Sequence, residues 1–216
     1  MSRDDRRQHS TRRPRPLPSK TSNGRIKFAV SCSSNMNRSM EAHDLLKHSG
    51  FNIESYGSGN YVKLPGPSVD KPNIYEFDSI PYQAIREDLI KKDRALYTHN
   101  GLLQMLKRNM RVKERPQKFQ HCKEEFEVIL CLEERVYDQI IDFFHSRIPS
   151  SGNLVHVLNI DIRDTQEEAS IGAYFVRLLC QKLESLEDLD NQIDDVLLNL
   201  DAEHSNRNIL HSIHFY

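Results

Sequence analysis

Cys32 and Arg38 are separated by five mostly small, polar residues, Ser33, Ser34, Asn35, Met36 and Asn37, and Ser39 follows the arginine. An apolar run, Ile26 to Ser31, leads into the cysteine, and a helical pattern carrying Met40, Leu45 and Leu46 begins behind the arginine. Loop residues of these types can curl so that successive backbone N–H groups point inward at a helix N-terminus, forming an anion nest. Arg38 would close the ring with a two-pronged grip on phosphate oxygens. An asparagine inside the loop suits the left-handed turn that such a curl needs. The positive field of the nest favours the thiolate form of a cysteine at its base, and a thiolate beneath phosphorus is a nucleophile. The expected chemistry is phosphate-ester hydrolysis through a phosphocysteine. A cysteine-to-arginine spacing also arises by chance, but strand before, helix behind and serine after the arginine argue against chance here.

The leaving oxygen needs a proton, and the phosphocysteine needs an activated water; one carboxyl can serve both in turn. Asp164 and, as the alternative acid, Asp161 lie at the C-terminal end of a further strand pattern, Leu154 to Ile160. Asp164 also precedes Thr165 and the pair Glu167-Glu168, which suits a helix N-cap, so the two roles can coexist.

These groups have to be positioned by strands and helices in alternation. After the first helix, with Gly50 as its stop, come a strand at Phe51 to Tyr56 and the turn Gly57-Ser58-Gly59. The stretch 61–115 is less regular, with the turn-rich Lys63-Leu64-Pro65-Gly66-Pro67 and helical segments near 84–92 and 101–107. Phe126 to Cys131 is strongly β-prone, and Val136, Ile140, Ile141 and Phe144 mark a helix behind it. After Leu154 to Ile160, a long helix carries Ala169, Ala173, Val176, Cys180 and Leu183, another spans 187–201, and Ile209 to Tyr216 reads as an edge strand. Such alternation predicts an α/β fold with a central, mostly parallel sheet flanked by helices. Ligands bind such sheets at strand carboxyl ends, where Cys32, Asp161 and Asp164 are expected.

At 216 residues the chain suits one phosphatase-sized domain at 25–216, with 61–115 as an inserted cap. Residues 1–24 hold seven Arg and Lys against Asp4 and Asp5, few apolar residues and three prolines, the composition of a disordered basic tail. That tail suits either simple solubilisation or nuclear import. A net charge of -1 argues against direct nucleic-acid binding, and no apolar run is long enough to span a bilayer. Cys32, Cys122, Cys131 and Cys180 form no Cys-x-x-Cys pair, so neither a zinc ribbon nor a disulfide framework is expected, and a reducing intracellular setting is.

The order of nucleophile and acid resembles the low-molecular-weight protein tyrosine phosphatase superfold. More specifically, CSSNMNRSMEAH, YVKLPGPSVDKPNIYEF, ALYTHNG, FEVILCLEERVYDQ and the terminal FY resemble the suppressor-of-sua-seven family, phosphatases of the RNA polymerase II carboxy-terminal heptads. The resemblance covers nearly everything after residue 25. It implies a metal- and cofactor-free serine phosphatase acting at heptad positions five and seven, with the following proline bound in cis. It also implies docking on a symplekin-type scaffold, and a nuclear role in transcription termination and mRNA 3′-end processing. By matching motif, Cys32 is the nucleophile, Arg38 the phosphate ligand and Asp164 the acid. Lys63, Leu64 and Pro65 resemble the loop beside the peptide, and Tyr97 and Met105 the wall of its proline groove. From the residues alone, those five would be ordinary loop and core positions.

The chain departs from the tyrosine phosphatases twice. Thr165-Gln166 follows the acid in place of Pro-Tyr, and Asn37 stands where those enzymes carry a second loop cysteine, so no resolving thiol adjoins Cys32. Three other readings compete: a low-molecular-weight tyrosine phosphatase, an arsenate reductase, and an inactive phosphopeptide-binding subunit of the same machinery. The reductase needs a relay of mobile cysteines, whereas Cys131 lies in an apolar strand pattern.

Overall fold

The computed structural model describes residues 25–204 and 209–216; the expected tail at 1–24 lies outside them. Five strands form the main sheet: β1 (Lys27–Cys32), β2 (Asn52–Gly57), β5 (Val128–Cys131), β6 (Leu154–Ile160) and β7 (Ile209–Phe215). Their order is β2-β1-β5-β6-β7; the first four run parallel, and β7 closes one edge antiparallel to β6. Among the described residues six α-helices accompany them: α1 (Arg38–His48), α2 (Tyr82–His99), α3 (Leu102–Val112), α4 (Glu134–His145), α5 (Gln166–Glu184) and α6 (Leu189–Glu203). The mostly parallel α/β sheet and the C-terminal edge strand are as the sequence predicts.

Period-two alternation sorts the strands onto two buried faces. Phe28, Val30, Val128, Leu130, Leu158 and Ile160 meet Ala42 and Leu46 of α1, Val176 and Leu179 of α5, and Leu197 of α6. Ala29, Ile129, Cys131, Val155 and Val157 face Val136, Ile140 and Phe144 of α4, with Tyr216 closing that layer. Gly50, at φ +85°, ends α1 in the left-handed backbone that glycine adopts without a Cβ clash.

The stretch 61–115 is more ordered than its sequence suggests. A short antiparallel hairpin, β3 (Val62–Leu64) with β4 (Asn73–Tyr75), was not expected. The helices also exceed the expected 84–92 and 101–107. α2 runs on to His99 through a break at Asp93, where φ is -164° and ψ is 94°, and α3 reaches Val112. The charged run Lys91 to Arg94 hid this continuation, because an exposed face carries no apolar period. The cap has a hydrophobic core of its own, with Val62, Leu64, Tyr82, Ile85, Leu89 and Leu106, into which Met36 and Met40 insert.

Candidate active site

β1 delivers Cys32 at its last position, and α1 begins at Arg38, so the intervening loop wraps over the thiol. Asn35 takes φ +53°, the left-handed turn expected inside the loop. Between Ser33 and Asn37, no backbone N–H donates to any acceptor among the described residues. Cys32 is 3% exposed, at the base of this ring. Its Sγ lies 3.0 Å from Ser39 Oγ, which also accepts from Asn35 Nδ2 at 3.1 Å.

The side chains of Asn35, Met36 and Ser39 serve the loop's shape. Asn35 Nδ2 also donates to Ser55 Oγ at 3.2 Å, and its Oδ1 accepts from the Gln117 N–H at 3.1 Å. Tyr82 Oη donates to the Asn35 carbonyl at 2.7 Å. Burial, and after it the charge of Cys32, push that phenol well above its usual pKa, so it stays a donor. Met36 is buried in the cap core, and its carbonyl accepts from Asn109 Nδ2 and Arg108 Nη2, each at 2.9 Å. Arg108 also pairs with Glu41 in the first turn of α1.

Arg38 is locked from behind. Its Nη1 donates to the carbonyls of Leu132 at 3.1 Å and Ile162 at 2.8 Å, and Nη2 meets Glu133 Oε2 at 2.5 Å. Among the described residues the buried Nε makes no hydrogen bond, and it lies 3.5 Å from Asp164 Oδ1. Burial opposes the charge, but Cys32, Asp164 and Glu133 outweigh it and hold the guanidinium above its ordinary pKa.

The two candidate acids are sorted by their partners. Asp161 Oδ1 accepts from the Glu134 N–H and Asn159 Nδ2, both at 3.1 Å, and so ties the start of α4 to the end of β6. Asp164 does not cap α5, contrary to one of its expected roles. Thr165 is the cap, its Oγ1 accepting from the Glu168 N–H at 3.1 Å, because Asp164 lies one residue too early. Asp164 instead points its Oδ1 to Asn37 Nδ2 at 2.9 Å. Arg38, Asp161 and Asp164 line a cavity of ≈ 1250 Å³ that continues past Glu133 to Ile171 and Tyr174.

The groove residues are less uniform. Ser34 Oγ and the Lys63 backbone N–H meet at 3.1 Å, joining the loop to β3. Asn73 Nδ2 donates to the Pro65 carbonyl and to Tyr97 Oη, both at 2.9 Å, bringing Pro65 and Tyr97 together. Tyr97 at 1% and Met105 at 8% exposure back the hairpin from within the cap core rather than forming an open wall. Cys131 is fully buried against α4, and burial pushes its thiol well above the ordinary range, unlike the mobile resolving cysteine of a reductase.

The model of the Ssu72-like protein family matches residues 26–216. The chain belongs to the Ssu72 family. A relative from Caenorhabditis elegans, the RNA polymerase II C-terminal domain phosphatase ssup-72, is 59% identical over 192 residues, 89% of this chain and 98% of the relative. The human RNA polymerase II C-terminal domain phosphatase SSU72 is 49% identical over 191 residues, 88% of this chain and 97% of the relative. Among solved structures, Drosophila melanogaster Ssu72 with Symplekin, bound to a cis peptidomimetic C-terminal-domain phosphoserine-5 peptide, is similar at TM-score 0.85 and 46% identity. That match covers 92% of this chain and 100% of the Drosophila chain.

Sequence reasoning for this Ssu72-family chain missed Glu133, Tyr82, Arg108 and Asn109, all of which hold the loop or its arginine. Glu133 adjoins the β-prone run 126–131 and is the one of the four with a local signal, an acid at a strand's carboxyl end. The cap residues had none.

Proposed function

We propose that this chain is a cysteine-dependent protein serine phosphatase acting on phosphoserine-proline in the RNA polymerase II C-terminal heptads. What carries the reading is the ring of unspent N–H groups from Ser33 to Asn37 over buried Cys32, with Arg38 locked at its side. The ring and Arg38 bind the phosphate's non-bridging oxygens. The Cys32 thiolate attacks phosphorus; the S–P bond forms as the P–O bond to serine breaks, and Asp164 gives its proton to the departing oxygen. Asp164, now a carboxylate, takes a proton from water as that water attacks phosphorus. The S–P bond then breaks, inorganic phosphate leaves, and both groups return to their starting states. The engagement of Asp161 with α4 supports Asp164 as the acid.

The substrate class follows from the relatives named as C-terminal domain phosphatases. The cis peptidomimetic on the Drosophila relative supports a cis serine-proline bond, and the Symplekin beside it supports a symplekin-type scaffold as partner. A polymerase substrate implies a nuclear role, and we place the chain in the nucleus on that ground. Lys63, Leu64 and Pro65 would flank the peptide, with Tyr97 and Met105 supporting them from behind.

A phosphoserine-proline heptad peptide mixed with excess enzyme tests the reading. About 10–30% of such bonds are cis in free peptides, exchanging over tens to hundreds of seconds. A burst matching that fraction, then a slow phase removed by a prolyl isomerase, is the expected result. Cys32→Ser should show no turnover but still bind the peptide. Single-phase hydrolysis faster than isomerisation would remove the cis requirement, and a fully active Cys32→Ser would remove the thiolate mechanism.

A further inference from the structure

Asn37 is the N-terminal flanking residue of α1, a position where asparagine is favoured because its side chain can accept an N–H from the first turn. Here it makes no such bond; its φ and ψ are -105° and -84°. The side-chain amide is instead turned outward, across to the loop before α5. Nδ2 donates to Asp164 Oδ1 at 2.9 Å and to the Thr165 carbonyl at 3.2 Å. The backbone of Asn37 is held at the same time: its carbonyl accepts from the Glu41 N–H at 2.9 Å and from Arg108 Nη2 at 3.3 Å. One residue therefore links the phosphate loop, the cap and the loop that carries Asp164.

We propose that Asn37 is a positioning residue that sets the proton-transfer geometry of Asp164. The inference rests on Asp164 being the acid. The Asp164 side chain is 59% exposed, so packing does little to orient it. Its polar restraints, Asn37 and Arg38 Nε, both fall on Oδ1. A carboxyl held through one oxygen presents the other, Oδ2, in a defined direction, and that is the oxygen which can carry the proton to the serine leaving group. After transfer, the amide donor stays on Oδ1 and keeps the carboxylate aimed at the incoming water. In this scheme the Asn37 side chain touches no reacting atom and acts only through Asp164.

The test measures Asn37→Ala, Asn37→Asp, Asp164→Asn and the Asn37→Ala/Asp164→Asn pair in the full chain. Substrates are a phosphoserine-proline peptide and an aryl phosphate whose leaving group needs no proton. Asn37→Ala should lower kcat on the phosphoserine peptide about ten- to hundredfold, as for a misplaced catalytic group, with KM and vanadate inhibition changing by less than about threefold. The burst of the aryl phosphate should be nearly unchanged. In the Asp164→Asn background, adding Asn37→Ala should cost little more, since the group it positions is already gone. Asn37→Asp keeps the shape but removes the donor; it should show the same loss at an unchanged melting temperature, and it carries the test should Asn37→Ala fold poorly. A near-normal Asp164→Asn would show that the acid assignment has failed. A crippled Asp164→Asn beside fully active Asn37 variants, or an aryl-phosphate burst slowed as much as the peptide's kcat, or additive losses in the pair, would overturn the tether alone.

Discussion

The phosphate loop is gripped by two regions that work differently. Beneath it, β1 is paired on both sides, to β2 and β5, and its alternate residues are buried in the two layers of the sheet. Above it, the cap contributes side chains one at a time: Tyr82 to the Asn35 carbonyl, Asn109 and Arg108 to that of Met36, and Arg108 again to that of Asn37. The sheet side supplies stability through many interchangeable apolar contacts. The cap side supplies shape through a few directional bonds, each aimed at a particular carbonyl of the loop. Damage to the first should unfold the protein, and damage to the second should leave it folded but badly aimed.

The largest effect on stability is expected from Leu130→Ala, a fully buried site in β5 against the α1 and α5 layer. Truncating a core leucine costs about 2–5 kcal/mol. The comparison predicts that the fraction still folded keeps its kcat, measured at a temperature well below the lowered unfolding transition. Arg108→Ala should show the reverse balance. It removes charge-assisted bonds, each worth about 1.5–3 kcal/mol when well made and less where solvent reaches them, while a shifted loop lowers kcat/KM about ten- to hundredfold. Urea titration beside activity checks the pair; equal activity losses per kcal/mol in both variants would erase the distinction between the two regions.

A smaller, graded effect lies under α1. His43 Nδ1 lies 2.8 Å from Ser55 Oγ, which in turn accepts from Asn35, so this histidine belongs to the sheet-side support of the loop. Burial, with Lys113 and Lys47 adding to it, lowers its pKa from 6.5 to about 3. The unfolded chain therefore binds a proton below pH 6.5 that the folded chain refuses until about pH 3. Stability from this site is fully present above pH 6.5 and falls by about 1.4 kcal/mol per unit as pH drops through that window. Unfolding titrations at neutral pH and near pH 5 should show that slope, and His43→Asn should flatten it. An unchanged slope in the variant would move the effect to other groups.

Most of the sheet was legible from residue order. Phe28 and Val30 against Ala29, or Val128 and Leu130 against Ile129, alternate with period two and fall on opposite layers. The strand pattern Leu154 to Ile160 coincides with β6. The hairpin β3–β4 escaped because three-residue strands are too short to show a period, and α2 was cut short by its charged middle. The loop proposed as catalytic was legible for a different reason. A nest that binds phosphate is made by consecutive residues, so its chemistry is written locally in Cys32 to Ser39.

What the sequence by itself determined is therefore whatever acts over a few residues: strand and helix periods, the loop from Cys32 to Arg38 with its proposed nucleophile, and the stretch from Asp161 to Asp164 that holds both candidate acids. Only the tertiary structure decided which aspartate faces the loop. It assigned the cap of α5 to Thr165, spent Asp161 on α4, and left Asp164 for Asn37 across 127 positions of chain. It also brought Glu133 to Arg38 across 95 positions and Arg108 to Met36 across 72. Such contacts are single directional bonds between side chains whose separation in sequence is arbitrary. They leave no periodic trace, because their geometry exists only once the apolar layers have packed.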